Sequence, residues 1–135
     1  MNTIDKLHRR RLKILADFLR TVPKKRFEMT SWCTVDFMSR TNEISHNECG
    51  TAACAAGWAC TIPSFRRVGF KMIKEIGWNY NSSYPSFRGY RDYNACIEFF
   101  GINQDQCFFI FGAFNKNSPI AAANRIEAVL KESQP

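Results

Sequence analysis

Long apolar runs are missing from this chain of 135 residues, and none approaches the roughly 20 residues that a membrane-spanning helix needs. Residues 1–22 also carry too many charges to be the apolar stretch of a signal peptide. These two absences predict a soluble protein that acts in the cytoplasm and has no membrane partner.

The chain also lacks the glycine-rich phosphate loops of the common nucleotide-binding folds. Neither Gly-x-x-x-x-Gly-Lys-Ser/Thr nor Gly-x-Gly-x-x-Gly occurs in it. It has two histidines, and no pair of acidic residues stands out from the polar background. Because general acid-base chemistry needs such groups, we expect a binding protein with no catalytic residue and no cofactor.

Paired Cys-x-x-Cys spacings are absent as well, although the chain has six cysteines. With nothing to mark the chain for export, buried free thiols are expected. A zinc site at His46, Cys49, Cys54 and Cys60 is disfavoured by its spacing, so no metal is predicted. A nucleophilic Cys49 beside His46 is a weaker alternative, because neighbours in sequence need not form a catalytic geometry.

Apolar residues make up 45% of the chain and aromatic residues 14%, including twelve phenylalanines. That composition predicts a single domain over residues 1–135 with a substantial core, and it allows a homo-oligomer if some aromatic side chains stay exposed. Residues 1–26 hold nine basic and two acidic side chains, which accounts for the whole net charge of +7. This basic segment favours a nucleotide, a nucleic acid or an acidic protein surface as partner, and a solvated helix face is the alternative.

The periodicity predicts a mainly α fold of about five helices. Residues 1–22 form a basic amphipathic helix that Pro23 ends, and residues 51–60 form a helix of small residues with Thr51 as N-cap. Glycine, asparagine and proline punctuate residues 64–90, which indicates a loop-rich rim that allows one short hairpin.

Two helices are expected over residues 91–112 as a tight helical hairpin. Asp92 caps the first arm, Gly101 takes the left-handed position after it, and Asn103 with Gln106 forms a capping box for the second. The second arm is expected to bury Cys107, Phe108, Ile110 and Phe111. Ser118 and Pro119 then open a C-terminal helix over residues 118–132, with Ile120 on its apolar side.

The segment Cys-Gly-Thr-Ala-Ala-Cys-Ala-Ala-Gly-Trp-Ala at residues 49–59 is the most distinctive in the chain. Together with Phe27-Glu28-Met29, Trp32, Phe99-Phe100-Gly101-Ile102 and Phe111-Gly112, it resembles a family of small uncharacterised proteins of bacteriophages and their bacterial hosts. The resemblance implies a phage accessory protein that works by binding in the host cytoplasm, including against host defence systems. It implies no catalytic residue.

The leading hypothesis is capture of a small anionic, nucleotide-like ligand at the start of the small-residue helix. Backbone N–H groups at Gly50 and Thr51 would face a phosphate, and Arg66 with Arg67 would clamp it. The aromatic side chains predicted to stack on a base are Trp32, Trp58, Tyr84 and Tyr90. In a phage, such a protein would act as a sponge that sequesters a nucleotide second messenger. The alternative is that this helix packs in the core with Trp58.

A second hypothesis assigns the basic segment to a nucleic acid or a host protein, through phosphate or carboxylate contacts. The basic patch consists of Arg9, Arg10, Arg11, Lys13, Lys24, Lys25 and Arg26. The helical hairpin does not serve as a recognition motif, because its second arm presents phenylalanines and no arginine.

Overall fold

Six α-helices and a small antiparallel sheet make up the part of the chain that the computed structural model describes, residues 3–29, 53–76, 81–113 and 115–133. The helices are α1 (Lys6–Leu19), α2 (Ala55–Ala59), α3 (Pro63–Arg67), α4 (Tyr93–Phe100), α5 (Gln104–Phe111) and α6 (Pro119–Glu132), with a 3₁₀ helix at Lys24–Arg26. The strands are β1 (Lys71–Ile76), β2 (Asn81–Phe87) and β3 (Tyr90–Arg91). The fold is therefore mainly helical, as predicted, with a three-stranded sheet added.

Helix α1 begins where Asp5 caps it, because the Asp5 carboxylate accepts a hydrogen bond from the backbone N–H of His8 at 2.9 Å. Its apolar face is buried, and it packs along α6. Arg9 donates from its guanidinium to Ser133 Oγ and to the carbonyl of Leu130, both at 2.9 Å. Basic residues of α1 therefore help to fix the two longest helices together.

The small-residue helix is shorter than predicted and does not run from Thr51. Ala53 is extended and forms a parallel bridge with Phe27, in which the Glu28 N–H donates to the Ala53 carbonyl at 2.9 Å. Cys54 is also extended and takes the N-cap position without a side-chain hydrogen bond. The helix starts at Ala55 because the backbone before it is engaged in this bridge. Thr51 itself lies outside the described residues.

Residues 64–90 are more ordered than the predicted loop-rich rim. Helix α3 comes first, and β1 and β2 then form an antiparallel hairpin with Lys71 opposite Ser86. Strand β3 extends the sheet by pairing with β2, so the strand order is β1-β2-β3. The short hairpin that the sequence allowed is therefore present, as part of a larger sheet.

The last third of the described chain follows the sequence prediction closely. Gly101 ends α4 in the left-handed conformation at φ 62°, and the Asn103 side chain accepts from the Gln106 N–H at 2.8 Å. The Gln106 side chain accepts in return from the Asn103 N–H at 2.9 Å, which completes the capping box. Ser118 caps α6 through the Ala121 N–H. The helical hairpin and the C-terminal helix are thus confirmed.

Asp92 precedes α4 but does not cap it with its side chain, contrary to the prediction. Its backbone has φ 59° and ψ −138°, a region that favours glycine because a Cβ is crowded there. We expect Asp92→Gly to raise the free energy of unfolding by about 1 kcal/mol, measured by urea denaturation. Asp92→Ala is the matched control, since it removes the carboxylate and keeps the Cβ. A glycine variant no more stable than the alanine variant would contradict this account of strain.

The buried side chains form a core in which phenylalanines dominate. Phe99 lies at its centre, with its ring centroid 4.4 Å from that of Phe70 in a stacked arrangement and 4.7 Å from that of Phe65. Two predicted core residues lie outside it: Phe108 is 45% exposed and Ile120 is 46% exposed. None of the helices in the described ranges has both the length and the apolar character that crossing a membrane requires.

Candidate functional site

Trp58, which was predicted to stack on a ligand, lies in the core instead. It is 3% exposed, and its indole N–H donates to the carbonyl of Arg26 at 2.9 Å. The Arg26 guanidinium carbon lies 5.3 Å from the centre of the indole ring, and the Phe18 ring packs on it at 6.2 Å. Trp58 is therefore an internal packing residue, as the alternative interpretation of this helix expected.

Tyr84 and Tyr90 cannot sandwich one base, because they lie on opposite faces of the sheet. Tyr90 pairs with Phe87 across β2 and β3, and Tyr84 is three residues before Phe87 on β2, so the two tyrosines point to opposite sides. The Tyr84 hydroxyl donates to Glu75 Oε1 at 2.7 Å, and this hydrogen bond raises the pKa of Tyr84. The Arg91 guanidinium carbon lies 3.7 Å from the Tyr84 ring centre.

The remaining members of the predicted ligand site are also dispersed. Arg66 and Arg67 lie in the last turn of α3, at the carbonyl end of that helix. Trp32, Gly50 and Thr51 lie outside the described residues. The described part of the structure therefore does not bring the predicted set together.

The predicted basic patch is divided among different roles. Lys13 donates to Glu127 Oε1 at 2.9 Å, and this hydrogen bond raises the pKa of Lys13. Like Arg9, it connects α1 to α6. Arg10, Lys24 and Lys25 are exposed. Arg11 alone among the α1 residues of the patch faces a different part of the fold, where it lines a cleft.

This cleft lies between α1, the turn that joins β2 to β3, and the end of α4, and its volume is about 400 Å³. Leu7, Phe87, Ile97 and Ile102 supply its apolar lining. Its polar lining is formed by His8, Arg11, Arg88 and Glu98, with Gly101 between them. A volume of this size falls in the range of roughly 300–1,000 Å³ that is typical of small-molecule sites.

Arg11 is held in place by the end of α4. Its Nη1 donates to the Phe99 carbonyl at 2.9 Å, and its guanidinium carbon lies 4.2 Å from the Phe99 ring centre. Burial is the main factor that lowers the pKa of Arg11, and the positive charge of Arg88 lowers it further. The guanidinium stays charged, because arginine does not deprotonate in proteins. The two arginines therefore repel each other, and a bound anion would relieve that repulsion.

Arg88 occupies an uncommon backbone position. It has φ 51° and Gly89 has φ 85°, so both central residues of this two-residue turn are left-handed, as in a type I′ turn. Asparagine, aspartate or glycine usually takes the first of these positions, because other side chains are crowded there. The Arg88 guanidinium carbon lies 4.9 Å from the Phe87 ring centre. Arg88 therefore lines the cleft from a turn position in which the backbone of an arginine is strained.

His8 packs against Gly101, and both residues line the cleft. A Cβ at Gly101 would come within 2.5 Å of His8 Cγ, so the absence of a side chain there lets the imidazole pack closely. His8 Nδ1 lies 2.7 Å from Asp5 Oδ1. Among the described residues, Nε2 has no hydrogen-bond partner, which leaves it able to bind a ligand.

Two acids lie near the cations of the cleft: Glu98 is part of the lining, and the negative charge of Asp5 acts to raise the pKa of Arg11 against the two effects that lower it. Within the described ranges, neither Arg11 nor Arg88 forms an ion pair with a carboxylate, and Glu98 is an exposed residue at the rim. The sequence predicts Arg11 as one member of a basic patch that also includes the connector at residues 24–26, and it does not predict His8 or Arg88 as site residues. The sequence does contain one indication of the Arg88 turn. The Arg-Gly pair at residues 88–89 lies between Phe87 and Tyr90, two aromatic residues of a type that is common in strands.

The cysteines do not provide an alternative site within the described residues. Cys54, Cys60, Cys96 and Cys107 are buried free thiols, as predicted for these four. Burial raises the pKa of Cys54 to about 11 and that of Cys107 to about 12, and it also raises the pKa of Cys96. Cys54, Cys96 and Cys107 are therefore protonated at neutral pH and are poor nucleophiles. No group of three or more potential ligands in the described chain could hold a metal ion, and His46 and Cys49 lie outside it.

Comparison with known proteins finds no match to a family model, a curated protein or a solved structure. The resemblance to phage proteins therefore stays a prediction.

Proposed function

We propose that this protein binds a small phosphate-bearing, nucleotide-like ligand in the cleft between α1, α4 and the β2–β3 turn, and that it does so without catalysis. The observation that supports this most directly is the position of Arg11 and Arg88 on one cleft, with neither paired to a described carboxylate. Guanidinium groups match the geometry of phosphate oxygens and bind them bidentately.

The rest of the lining fits the other parts of such a ligand. His8 Nε2 offers a further polar contact in the cleft, and Leu7 and Ile97 offer apolar surface to a base or a sugar. This proposal keeps the anionic ligand of the sequence hypothesis and moves its site from the small-residue helix to the cleft.

Binding without turnover is consistent with the chemistry of the described residues. The thiols of Cys54, Cys96 and Cys107 are protonated, and His8 is the imidazole that lines the cleft. The resemblance to phage proteins extends this proposal. In the host cytoplasm, the protein would act as a sponge that binds a nucleotide second messenger and so keeps it from a host defence system.

Mass spectrometry of the purified protein tests this proposal directly. A denatured sample is expected to release a nucleotide, and isothermal titration of ligand-free protein with cyclic dinucleotides, nucleoside triphosphates and inorganic phosphate would rank the affinities. Chromatography of the released ligand should recover it intact, since a sponge does not hydrolyse what it binds. Hydrolysed product would show an enzyme instead, and a protein that binds none of these compounds would refute the proposal.

Arg11→Gln is expected to weaken binding of the best nucleotide by at least about tenfold, because one charge-assisted hydrogen bond contributes roughly 1.5–3 kcal/mol. Arg10→Gln is the matched control: it removes the same charge from the same helix, but Arg10 does not line the cleft. Titration calorimetry measures both variants, and circular dichroism checks their folding. Equal losses in the two variants would favour the basic helix as a whole, and with it a nucleic acid or a host protein as partner.

A further inference from the structure

The two ring nitrogens of His8, a residue of the cleft lining, have different surroundings. Nδ1 lies 2.7 Å from Asp5 Oδ1. Nε2, on the other side of the ring, has no hydrogen-bond partner among the described residues. Because the His8 side chain is only 22% exposed and packs against Gly101, its neighbours hold the ring in this orientation.

Asp5 determines which of the two nitrogens carries the proton in the neutral imidazole. Its Oδ1 also accepts a hydrogen bond from the His8 backbone N–H at 2.9 Å, and this bond is the main cause that lowers the pKa of Asp5. Asp5 is therefore a carboxylate at neutral pH, and a carboxylate can only accept a hydrogen bond. The contact with Nδ1 thus requires that Nδ1 donates. Neutral His8 consequently has its proton on Nδ1 and a lone pair on Nε2.

A lone pair on Nε2 does not suit an anion in the cleft, because phosphate oxygens are also acceptors. Protonation of the imidazole turns Nε2 into a donor and adds a positive charge to the lining. The charged groups around this ring are Asp5 and Arg11 in the first half of the α1 segment, Arg88 on the β2–β3 turn and Glu98 on α4. The two arginines oppose a protonated imidazole in an empty cleft, and the two carboxylates favour it. A bound phosphate shifts this balance toward protonation, because it adds negative charge beside the cations.

We propose that ligand binding in the cleft is linked to proton uptake at His8, with Asp5 as the positioning residue that leaves Nε2 as the titrating atom. The inference rests on the proposed function, since it needs an anion in the cleft. Histidine side chains titrate near neutral pH, so the linkage acts in the physiological range. Because the protonated form binds the anion better, affinity is highest below this range and falls as the pH rises through it.

Nitrogen NMR tests the tautomer of His8 without any ligand. In untagged, ligand-free protein with ¹⁵N-labelled histidine, above the titration range, Nδ1 is expected to carry the proton and Nε2 to have the chemical shift of an unprotonated nitrogen. The chain has two histidines, and the spectrum of His46→Gln identifies the signals that belong to His8. A neutral form protonated at Nε2 would overturn the proposal.

Titration calorimetry tests the linkage, with the tightest binder among the cyclic dinucleotides, nucleoside triphosphates and inorganic phosphate as probe. Titrations at neutral pH in buffers of different ionisation enthalpy give the number of protons taken up per bound probe. The parent is expected to take up a fraction of a proton, and to bind about tenfold more weakly at about pH 8 than at about pH 6.

His8→Gln isolates the contribution of the imidazole. Glutamine can place an amide donor near the position of Nε2 but cannot titrate, so this variant should take up fewer protons than the parent. Any titration of the probe's own phosphate is common to both proteins and cancels in the comparison. Equal proton uptake by the two proteins would refute the linkage. If no probe binds to the parent, the proposed function fails and this inference fails with it, whereas binding without proton uptake refutes this inference alone.

Asp5→Asn tests the positioning role of Asp5. Asparagine caps a helix as well as aspartate does, so α1 should stay folded, but the substitution removes the charge that favours the protonated imidazole. Proton uptake at neutral pH should therefore fall below that of the parent, and the NMR spectrum should show both tautomers. Asp17→Asn is the matched control, since Asp17 lies on the same helix, pairs with Lys13 and does not line the cleft. Parent-like proton uptake by Asp5→Asn would show that Asp5 does not position His8.

Discussion

Arg88→Asn is expected to weaken ligand binding by about 10- to 100-fold while leaving the free energy of unfolding within about 1 kcal/mol of the parent value. Removing the guanidinium takes away one of the two cations that line the cleft. Asparagine is among the residues best suited to the left-handed backbone that Arg88 adopts at φ 51°. This variant should therefore lose affinity for the ligand without losing much stability.

Two small and opposite effects determine how Arg88→Asn changes the free energy of unfolding. A residue in a sparsely populated backbone region costs on the order of 1 kcal/mol, and asparagine relieves part of that cost. The lost contact between the Arg88 guanidinium and the Phe87 ring, at 4.9 Å, contributes roughly 0.5–1 kcal/mol at an exposed site. The free energy of unfolding should therefore change by less than about 1 kcal/mol in either direction.

Two controls define what the Arg88 experiment means. Arg67→Asn removes an exposed arginine that does not line the cleft, and it should leave nucleotide binding unchanged. Arg88→Lys keeps the charge but loses bidentate geometry, so its affinity should fall between those of the parent and Arg88→Asn. If Arg88→Asn binds nucleotide as well as the parent, Arg88 does not contact the ligand and the strained turn has no role in binding.

The helices of this fold could be predicted where local signals define their ends. The capping box of Asn103 and Gln106, the left-handed Gly101 and the Ser118-Pro119 start are all set by residues within one turn, and each appears in the structure. The start of α2 could not be predicted in this way. It depends on a bridge between Ala53 and Phe27, and pairing across such a distance in sequence leaves no local pattern.

Beyond the one short hairpin that the sequence allows, the extent of the sheet and the position of the cleft could not be predicted, for related reasons. In the sequence, Gly69, Asn79 and Gly89 indicate turns. Lys74 lies on the buried face of β1, so the strand lacks the alternation of apolar and polar residues by which a strand is recognised. The cleft joins residues from α1, the β2–β3 turn and α4 that only the tertiary fold brings together. The sequence predicts an anionic ligand from the helix start at Gly50 and Thr51 and from Arg66 and Arg67. Residues that line the cleft carry no such local signal, because they come together only through packing.

The core and the cleft are connected through Phe99, and Phe99→Ala is expected to cost about 3–5 kcal/mol of unfolding free energy. The Phe99 ring has centroids of four other phenylalanine rings within 5.0 Å: Phe65, Phe70, Phe87 and Phe100. Its removal leaves a cavity among rigid aromatic side chains that cannot collapse to fill it. Since small domains have a total stability of about 5–15 kcal/mol, this one change could unfold a large fraction of the protein.

Urea denaturation measures the effect of Phe99→Ala, and Phe108→Ala is its matched control. Phe108 is the same residue type but is 45% exposed, so its truncation should cost no more than about 1 kcal/mol. Equal destabilisation by the two variants would show that the Phe99 cluster is not the centre of the core.

Phe99→Leu extends this test to the cleft, because it fills most of the space and should remain folded at a cost of roughly 1–2 kcal/mol. It keeps the Phe99 carbonyl that accepts from Arg11 but removes the ring that lies 4.2 Å from the guanidinium. We expect this variant to bind nucleotide a fewfold more weakly than the parent, because Arg11 loses the surface that orients it. Parent-like affinity would show that the carbonyl alone positions Arg11, and that the aromatic core serves stability without shaping the site.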